Sequence, residues 1–152
     1  MASEETKTDN VSTQYKVVIN GLKNTTFRSC EGLESEIDVL SYQNGGNLSA
    51  PVTARGFQKT GRLSFGRGAF SDQGSSGKSL FDWYLEVCDS SKALKKETIL
   101  VILVDSSDRE VEKWEVVNAW PSRWMGPLLN QDDSQLSVQY ITFAHEGIKK
   151  AK

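Results

Sequence analysis

The chain has 152 residues and a formal net charge of −2, and 38% of its residues are hydrophobic and 25% charged. This length fits a single domain with its own core, and no apolar run is long enough to indicate a membrane span. The scattered Lys and Arg residues lack the basic patch of a dedicated nucleic-acid-binding protein, so a DNA- or RNA-binding β-module is only an alternative.

The first residues predict an arm rather than a core element. Residues 1–14 are polar and without hydrophobic periodicity, so we expect a flexible arm that orders only against a partner. Its start, MASEETKTDN, lacks the basic and apolar regions of a secretion signal, which predicts synthesis in the cytoplasm. Cys30 and Cys88 are far apart and show no pairing pattern, so two buried or half-buried free thiols are expected.

Two strands are predicted in the first third of the chain. Residues 15–21 (YKVVING) form an apolar run that ends in an Asn-Gly turn signal. Residues 33–43 alternate apolar and polar side chains, which predicts a strand with one dry and one wet face. The dry face would carry Ile37 and Val39, and the wet face would carry Glu36 and Asp38.

The following region is expected to be irregular before another strand begins. Residues 44–60 are rich in Gly, Ser and Thr and include Pro51, which favours a long loop or an extended hairpin over a regular core element. Residues 62–70 (RLSFGRGAF) alternate again and predict a strand whose polar face carries Arg62 and Ser64.

Residues 79–88 (SLFDWYLEVC) predict the helix of this chain. Ser79 is a suitable N-cap, and Asp82 follows three residues later in an arrangement close to a capping box. Apolar residues at helical spacing form a stripe that is expected to pack on the core: Leu80, Phe81, Tyr84, Leu85 and Cys88.

The second half of the chain predicts strands. Residues 98–105 (TILVILVD) are apolar on both faces, which is typical of a strand covered by the core on one side and by a helix or a neighbouring subunit on the other. A turn at 106–109 leads into a strand in which Trp114 and Val116 alternate with charged residues, and residues 134–145 alternate in the same way. These elements predict a mainly β, mostly antiparallel fold with one helix.

The segment GSSGKS, residues 74–79, looks like part of a phosphate-binding loop. A Walker A loop requires a first glycine five residues before its second, and this chain has Asp72 there. The chain also lacks the alternating strands and helices of a parallel sheet. A flexible Gly/Ser loop is therefore favoured, and a small nucleotide-binding domain that uses residues 74–79 is the alternative from another functional class.

No catalytic, metal or cofactor site is predicted. His145 is the one histidine, and no partner stands at the spacing of a triad or a zinc site, so a hydrogen-bonded structural histidine is favoured. Asp132 and Asp133 lie in a polar turn, where solvated charges are the default. The sequence therefore predicts a protein that is not an enzyme.

Five stretches, in the same order along the chain, resemble one family. The segment NAWPSRWMGPLLN at 118–130, followed by a strand and then FAHEG, is similar to the C-terminal signature of the tail tube proteins of contractile phages and contractile injection systems. Four earlier stretches agree with it: YKVVI, CEGLESEIDVLSYQNGG, GRLSFGRGAF and LFDW. The resemblance covers residues 15–148, which would form a tail tube domain between the arm and a C-terminal tail of residues 149–152.

The resemblance implies an antiparallel β-barrel or sandwich with one flanking helix, six copies of which close into a ring with a continuous inner β-barrel. Rings of this family stack into a hollow tube inside a contractile sheath, which conducts cargo through a target envelope. The implied partners are the sheath, baseplate and terminator or cap proteins, and a protein effector or DNA as cargo. The particle would be built in the bacterial cytoplasm and be released or envelope-anchored. A tube-initiator subunit that joins tube to baseplate is the alternative within the family.

Two sets of residues are expected to serve such a ring. Rigid aromatic segments often anchor interfaces, so the segment with Trp120 and Trp124 is a candidate for contact with a neighbouring subunit. Residues 45–60 have too few apolar residues to fold back stably, so we expect them to extend to a neighbouring subunit or to the next ring. The interface candidates are Asn47, Leu48, Pro51, Trp120 and Trp124. For the two tryptophans, covering the core of their own subunit is an equal alternative. The candidates for the lumen wall or the outer surface are Glu36, Asp38, Arg62 and Ser64.

Overall fold

The computed structural model describes residues 14–19, 22–25, 27, 29–43, 45–46, 50–68, 80–127, 131 and 138–152. Its elements, in chain order, are β1 (Gln14–Ile19), β2 (Leu22–Thr25), β3 (Ser29–Glu31), β4 (Ser35–Tyr42), β5 (Val52–Thr60), β6 (Leu63–Gly68), α1 (Leu80–Cys88), β7 (Glu97–Val104), β8 (Glu110–Met125), β9 (Val138–Ala144) and β10 (Gly147–Lys150). Within these ranges, no helix is long and apolar enough to cross a membrane.

The long strand β8 connects two layers of antiparallel sheet. Its first part pairs with β7 and β10, and β7 continues through β1 to β2 in the first layer. From residue 120 onward β8 pairs with β9, and β9 continues through β6 to β3 in the second layer. Asn118 has a φ of 50°, in the left-handed region that asparagine tolerates better than most residues, and it lies at the register irregularity just before the pairing with β7 ends at Ala119. β8 changes layers between Ala119 and Trp120.

The core lies between these layers and is centred on aromatic side chains. Phe65 on β6 and Phe143 on β9 are fully buried, and their rings meet edge to face with centroids 5.8 Å apart. Phe27 stacks on Phe65 at 4.7 Å, and Trp83 from α1 lies 5.5 Å from Phe143. Full burial of such a side chain contributes roughly 1.5–3 kcal/mol, so these rings stabilise the contact between the layers. We call the two layers and α1 the body.

The helix is confirmed, but only Leu80 of its predicted apolar stripe is buried. Leu80 and Trp83 are the buried residues of α1, and Val87 packs against the core from partial exposure. Of the predicted stripe, Phe81 and Leu85 are 40% and 49% exposed. The helix therefore places a second apolar stripe on the surface of the subunit.

Several predicted strands are confirmed, whereas the dry face of β4 is not. β1, β6, β7 and β9 form where apolar residues alternate or run together, and β7 is largely buried on both faces, as predicted. β4 also forms, yet Ile37 is 50% and Val39 71% exposed, so neither face of this strand is covered within the subunit. Of the two readings of residues 44–60, the extended hairpin is correct, because β5 pairs along β4.

The structure also contains short strands that the sequence does not predict. β2 and β3 follow β1, and β10 adds four residues to the edge of β8. β8 itself runs past Pro121 to Met125, beyond the predicted end of the strand. Both cysteines are free, and Cys30 is half-buried as expected, but Cys88 is exposed. Burial raises the pKa of the Cys30 thiol to about 11 and that of its neighbour Tyr15 to about 12.

Candidate subunit interface

The hairpin of β4 and β5 stands apart from the body. Within the described part of the chain, these two strands pair with each other and with no other strand. Large apolar side chains are exposed along it, with exposed fractions between 50% and 88%: Ile37, Val39, Leu40, Tyr42, Val52 and Phe57. Contiguous exposed apolar surface of this kind marks interaction sites in soluble proteins.

A sharp corner separates the hairpin from the body. β3 leads directly into β4, and β5 leads directly into β6, so the hairpin continues the β3–β6 ribbon of the second layer. At the corner Gly32 has a φ of +85°, and a Cβ atom there would lie 2.0 Å from the carbonyl oxygen of Arg62. Any other residue would be strained at this φ, and its Cβ atom would clash with the carbonyl group of Arg62. Glycine therefore makes this corner possible.

The hairpin is held in shape by its own contacts. Lys59 Nζ lies 2.6 Å from Asp38 Oδ1, and the hydrogen bond and charge of Asp38 raise the pKa of Lys59. Gln58 Nε2 donates a hydrogen bond to Ser35 Oγ at 2.8 Å. At the root, Thr60 Oγ1 donates to the carbonyl oxygen of His145 at 3.2 Å, which joins the hairpin to the end of β9.

The second unusual feature is an open edge on β8. The pairs that β8 makes with β10 and β7 end at Val117 and Ala119, respectively, whereas residues 120–125 pair with β9 alone among the described strands. Pro121 lies within this segment, as is typical of edge strands, because proline has no N–H to donate to a neighbouring strand. We call residues 120–125 the β8 edge.

The two candidate tryptophans lie on the β8 edge and are half-buried. The ring of Trp124 contacts Phe81 of α1 with centroids 4.8 Å apart, and a Cβ on Gly126 would approach the Trp124 ring to 2.9 Å. Trp124 therefore covers part of its own subunit and also borders the open edge. Pro51 is exposed just before β5, and Asn47 and Leu48 lie outside the described residues.

The four candidates for the lumen wall or outer surface lie in three places. Glu36 and Asp38 are on one face of the hairpin, and Arg62 is exposed at the corner. Ser64 is on the outer face of the second layer, where its hydroxyl hydrogen-bonds that of Thr142 at 3.0 Å. These residues do not form one continuous surface in the single subunit, and their orientation toward a channel remains a prediction.

His145 is buried. Burial lowers the pKa of its imidazole, and a backbone hydrogen bond with Gly147 partly opposes this shift. The described residues contain no group of three His, Cys, Asp or Glu side chains that could hold a metal ion. The Gly/Ser segment 74–79 lies outside the described residues.

The sequence analysis missed the exposed apolar residues of the hairpin, above all Phe57. Phe57 is 88% exposed and follows Gly56, where an added Cβ atom would lie 2.9 Å from Asp38. Val52 and Ala54 alternate with polar residues, but Phe57 is out of phase with them, and Gly, Thr and a preceding proline give the segment the composition of a loop.

Comparison with known proteins identifies the family. The model of the T4-like virus tail tube protein gp19 family matches residues 11–149, which is nearly the whole chain. No sequence among curated proteins matches the chain significantly.

Three solved structures share the fold. A chain in the sheath-tube complex of the extracellular contractile injection system PVC superposes with a TM-score of 0.76 at 21% identity, covering 91% of this chain and 88% of that one. A chain of the PVC sheath/tube terminator gives 0.78 at 21%, covering 91% and 94%. A chain of the anti-feeding prophage baseplate gives 0.74 at 16%, covering 91% of each. The chain belongs to the T4-like tail tube protein family and is a structural tube subunit.

Proposed function

We propose that six copies of this chain close into a ring and that the rings stack into the hollow inner tube of a contractile injection system or phage tail. The observation that carries the proposal is the β4–β5 hairpin, which projects from the body with apolar side chains exposed on both faces. A surface of this kind is stable in water when another molecule covers it, and an identical neighbour in a ring provides such a cover.

Open strand edges support the same arrangement. The β8 edge and the hairpin both present backbone groups without partners among the described strands. Exposed edges of this length invite pairing with another chain, and a closed ring satisfies them without leaving an edge for uncontrolled aggregation. Sixfold closure agrees with the 6-fold symmetrised baseplate in which one chain of the same fold occurs.

The partners follow from the positions that such a tube would occupy. The sheath surrounds it, the baseplate and a terminator or cap protein contact its two ends, and a protein effector or DNA passes through the lumen. Chains of the same fold occur in a sheath-tube complex and in a tube terminating cap. The subunit is made in the bacterial cytoplasm and joins a phage-tail-like particle that is released or anchored in the envelope, without inserting this chain into a membrane.

The proposed role is mechanical, without catalysis or a cofactor. The chain belongs to a family of structural tube proteins, and its hairpin carries both signs of charge, with Glu36 and Asp38 on β4 and Arg55 and Lys59 on β5. Such a mixed polar wall lets cargo slide without adhering strongly to one sign of charge. The candidates Glu36, Asp38, Arg62 and Ser64 would contribute to this wall or to the outer surface of the ring.

A tube-initiator subunit is the second candidate function. The fold superposes on a baseplate chain almost as well as on tube and terminator chains. The two roles differ in copy number, because an initiator forms one ring per particle whereas a main tube subunit forms many. Quantitative mass spectrometry of purified particles, with the sheath protein as reference, distinguishes them.

Electron microscopy of the purified protein tests the proposal. We expect sixfold rings or tubes from the native chain and mostly single subunits from Phe57→Asp, because the charge prevents burial of the most exposed apolar residue on the hairpin. Leu94→Asp is the matched control, since Leu94 is 46% exposed outside the hairpin. Isolated native subunits at all concentrations would contradict the ring. Removal of residues 47–51 tests separately whether the hairpin tip is needed for stacking.

A further inference from the structure

We propose that residues 1–5 pair as an added strand with the open edge of β10 in the same subunit. An extended segment that joins an exposed sheet edge gains main-chain hydrogen bonds, and its alternate side chains enter the pockets beside that edge. The family match begins at residue 11, so this docking lies outside the part of the chain that the family model covers. It does not depend on the proposed ring.

β10 has one edge that no described strand covers. Among the described strands, β10 pairs with β8 alone. Backbone hydrogen bonds continue this pairing beyond both ends of β10. The N–H of Glu146 donates to the carbonyl oxygen of Val117, and the N–H of Ala151 donates to that of Lys113, each at 2.9 Å. The chain is therefore held against β8 over residues 146–151, and its outer side presents backbone groups to an incoming strand.

A groove of about 280 Å³ lies beside this edge. Residues 33–35, at the corner that leads into the hairpin, form one side of it, and β8 and β10 form the other. Half-buried apolar side chains that pack against the core line the groove: Leu33, Trp114 and Ile148. Side chains on one face of an added strand would cover this apolar surface and remove it from water.

The arm is long enough to reach this groove from its own β1. Across β7, Gln14 at the start of β1 is in register with Glu110 of β8. Lys150 of β10 is in register with Trp114, which lies four residues further along β8. Three strand spacings sideways and four residues lengthwise give a separation of about 20 Å. Eight extended residues span about 26 Å, so the last eight residues of the arm can cross this distance and the first five can pair.

The edge of β10 is basic. β10 (GIKK) carries two lysines, whereas β2 (LKNT) and β3 (SCE), the short strands at the other ends of the sheet, carry one lysine and one glutamate. Lys149 is exposed and has no ion-pair partner among the described residues. Lys150 is exposed and pairs with Glu112 at 3.1 Å. The groove lining adds one acidic residue, Glu34, on the side of the corner.

The arm carries the complementary charge. Its three carboxylates stand against one lysine: Glu4, Glu5 and Asp9 against Lys7. Glu4 and Glu5 lie within the five residues that can pair with β10. Adjacent residues of a strand point to opposite faces, so these two carboxylates can meet Lys149 and Lys150 with one pair on each face.

Disulfide trapping in the full-length chain tests the docking. In a Cys88→Ser background, Lys149→Cys is combined in turn with a cysteine at each of positions 2–5, and dilute protein is oxidised with glutathione disulfide. Opposed residues of antiparallel strands have Cα atoms about 4.5–5.5 Å apart, within the range that a disulfide spans. We expect one or two positions to give an intramolecular cross-link, seen as a reducible shift of the monomer band. Cross-links that join only different copies would overturn docking within the subunit.

A matched control separates docking from random encounters of a flexible arm. Val111→Cys takes the place of Lys149→Cys, because Val111 is 58% exposed and lies next to Glu110, closer to the start of β1 than β10 is. An undocked arm would react there at least as fast. We expect the cross-link to Lys149→Cys to form at least about tenfold faster, and equal rates at the two sites would overturn the proposal.

Hydrogen exchange tests strand pairing itself. In dilute, unassembled protein, the amides of β10 that face away from β8 have no partner among the described strands, so they should exchange rapidly unless the arm pairs with them. We expect them to be protected in the native chain and to exchange at least about tenfold faster after removal of residues 1–9, while β1 and β7 keep their rates. Equal exchange of these amides in the two proteins would overturn the pairing.

Charge variants identify the residues that direct the arm. Glu4→Lys with Glu5→Lys should remove the protection of the β10 amides, because both new charges would face the basic edge. Asp9→Lys is the control and should retain the protection, since Asp9 lies in the crossing segment. Protection that survives the change at residues 4 and 5 would overturn their role in docking.

Discussion

The body buries its large apolar side chains, whereas the hairpin exposes them to solvent. In the body, Phe65 and Phe143 are fully enclosed between two layers of one chain. In the hairpin, Val39 and Phe57 are 71% and 88% exposed, although the sequence alternates as in any amphipathic strand. The same kind of side chain is therefore packed within the subunit in one region and left exposed on the subunit in the other. We therefore expect substitutions in the body to affect folding and substitutions in the hairpin to affect assembly.

The largest difference in the free energy of unfolding is expected between substitutions of two phenylalanines, one in each region. Phe143→Ala removes a ring that contacts both Phe65 and Trp83, and it should lower the free energy of unfolding by about 3–5 kcal/mol. Phe57→Ala in the hairpin should change it by less than about 0.5 kcal/mol. Urea denaturation of unassembled protein measures both values. Equal losses from the two variants would mean that the hairpin packs on its own body.

The corner between the regions should also be sensitive. Gly32→Ala places a side chain at a φ of +85° against the Arg62 carbonyl, and we expect a loss of about 1–3 kcal/mol in the free energy of unfolding. Gly45→Ala is the control, because Gly45 has no positive φ and a Cβ there would contact nothing within 4 Å. Hydrogen exchange should show faster opening on both sides of the corner in Gly32→Ala alone.

Phe57→Ala should weaken ring assembly although it hardly changes the stability of the subunit. Burial of Phe57 against a neighbour contributes roughly 1.5–3 kcal/mol, which corresponds to about a 10- to 100-fold rise in the concentration needed for rings in Phe57→Ala. Sedimentation velocity over a dilution series measures this shift. A normal assembly concentration would indicate that Phe57 stays exposed in the ring.

The smallest expected effect is a pH dependence in the body. Hydrogen bonds from Lys96 and Asn118, with the charge of Lys96, hold the pKa of Glu146 below its usual range. A carboxyl with a depressed folded-state pKa stabilises the protein above its unfolded-state pKa of about 4.3, and this contribution is lost as the pH falls through the folded-state value. The Tm of Glu146→Gln should therefore lie slightly below that of the native chain at pH 7. The difference should shrink as the pH falls through the folded-state pKa of Glu146, and a difference that does not change as the pH is lowered would exclude this titration as the cause.

How much the sequence could predict depends on where each apolar residue is covered. β1, β7 and β9 were predictable because their apolar residues pack within the same chain. On α1 two stripes were possible, since Leu80, Trp83 and Val87 have helical spacing as well as Phe81, Tyr84, Leu85 and Cys88. Periodicity alone cannot choose between them, and the tertiary contacts with Phe143 select the first.

The remaining differences have local causes. Pro121 is a strong signal for the end of a strand, but on an edge with an unpaired side its missing N–H costs little, so β8 continues. β10 (GIKK) is too short and too polar for its sequence to indicate a strand, and its pairing with β8 determines its conformation. Pro51 and the two tryptophans stay predictions for an interface, whereas the exposure of Phe57 required the structure.

The change of layer along β8 has a mechanical consequence. β8 is one continuous strand that belongs to both layers. A shear force on the second layer is therefore transmitted to the first through the covalent backbone as well as through side-chain packing. Two layers connected in this way resist sliding past each other when a column of subunits is pushed along its axis. The continuous strand β8 thus joins two sheets that would otherwise be connected only by loops and side-chain packing.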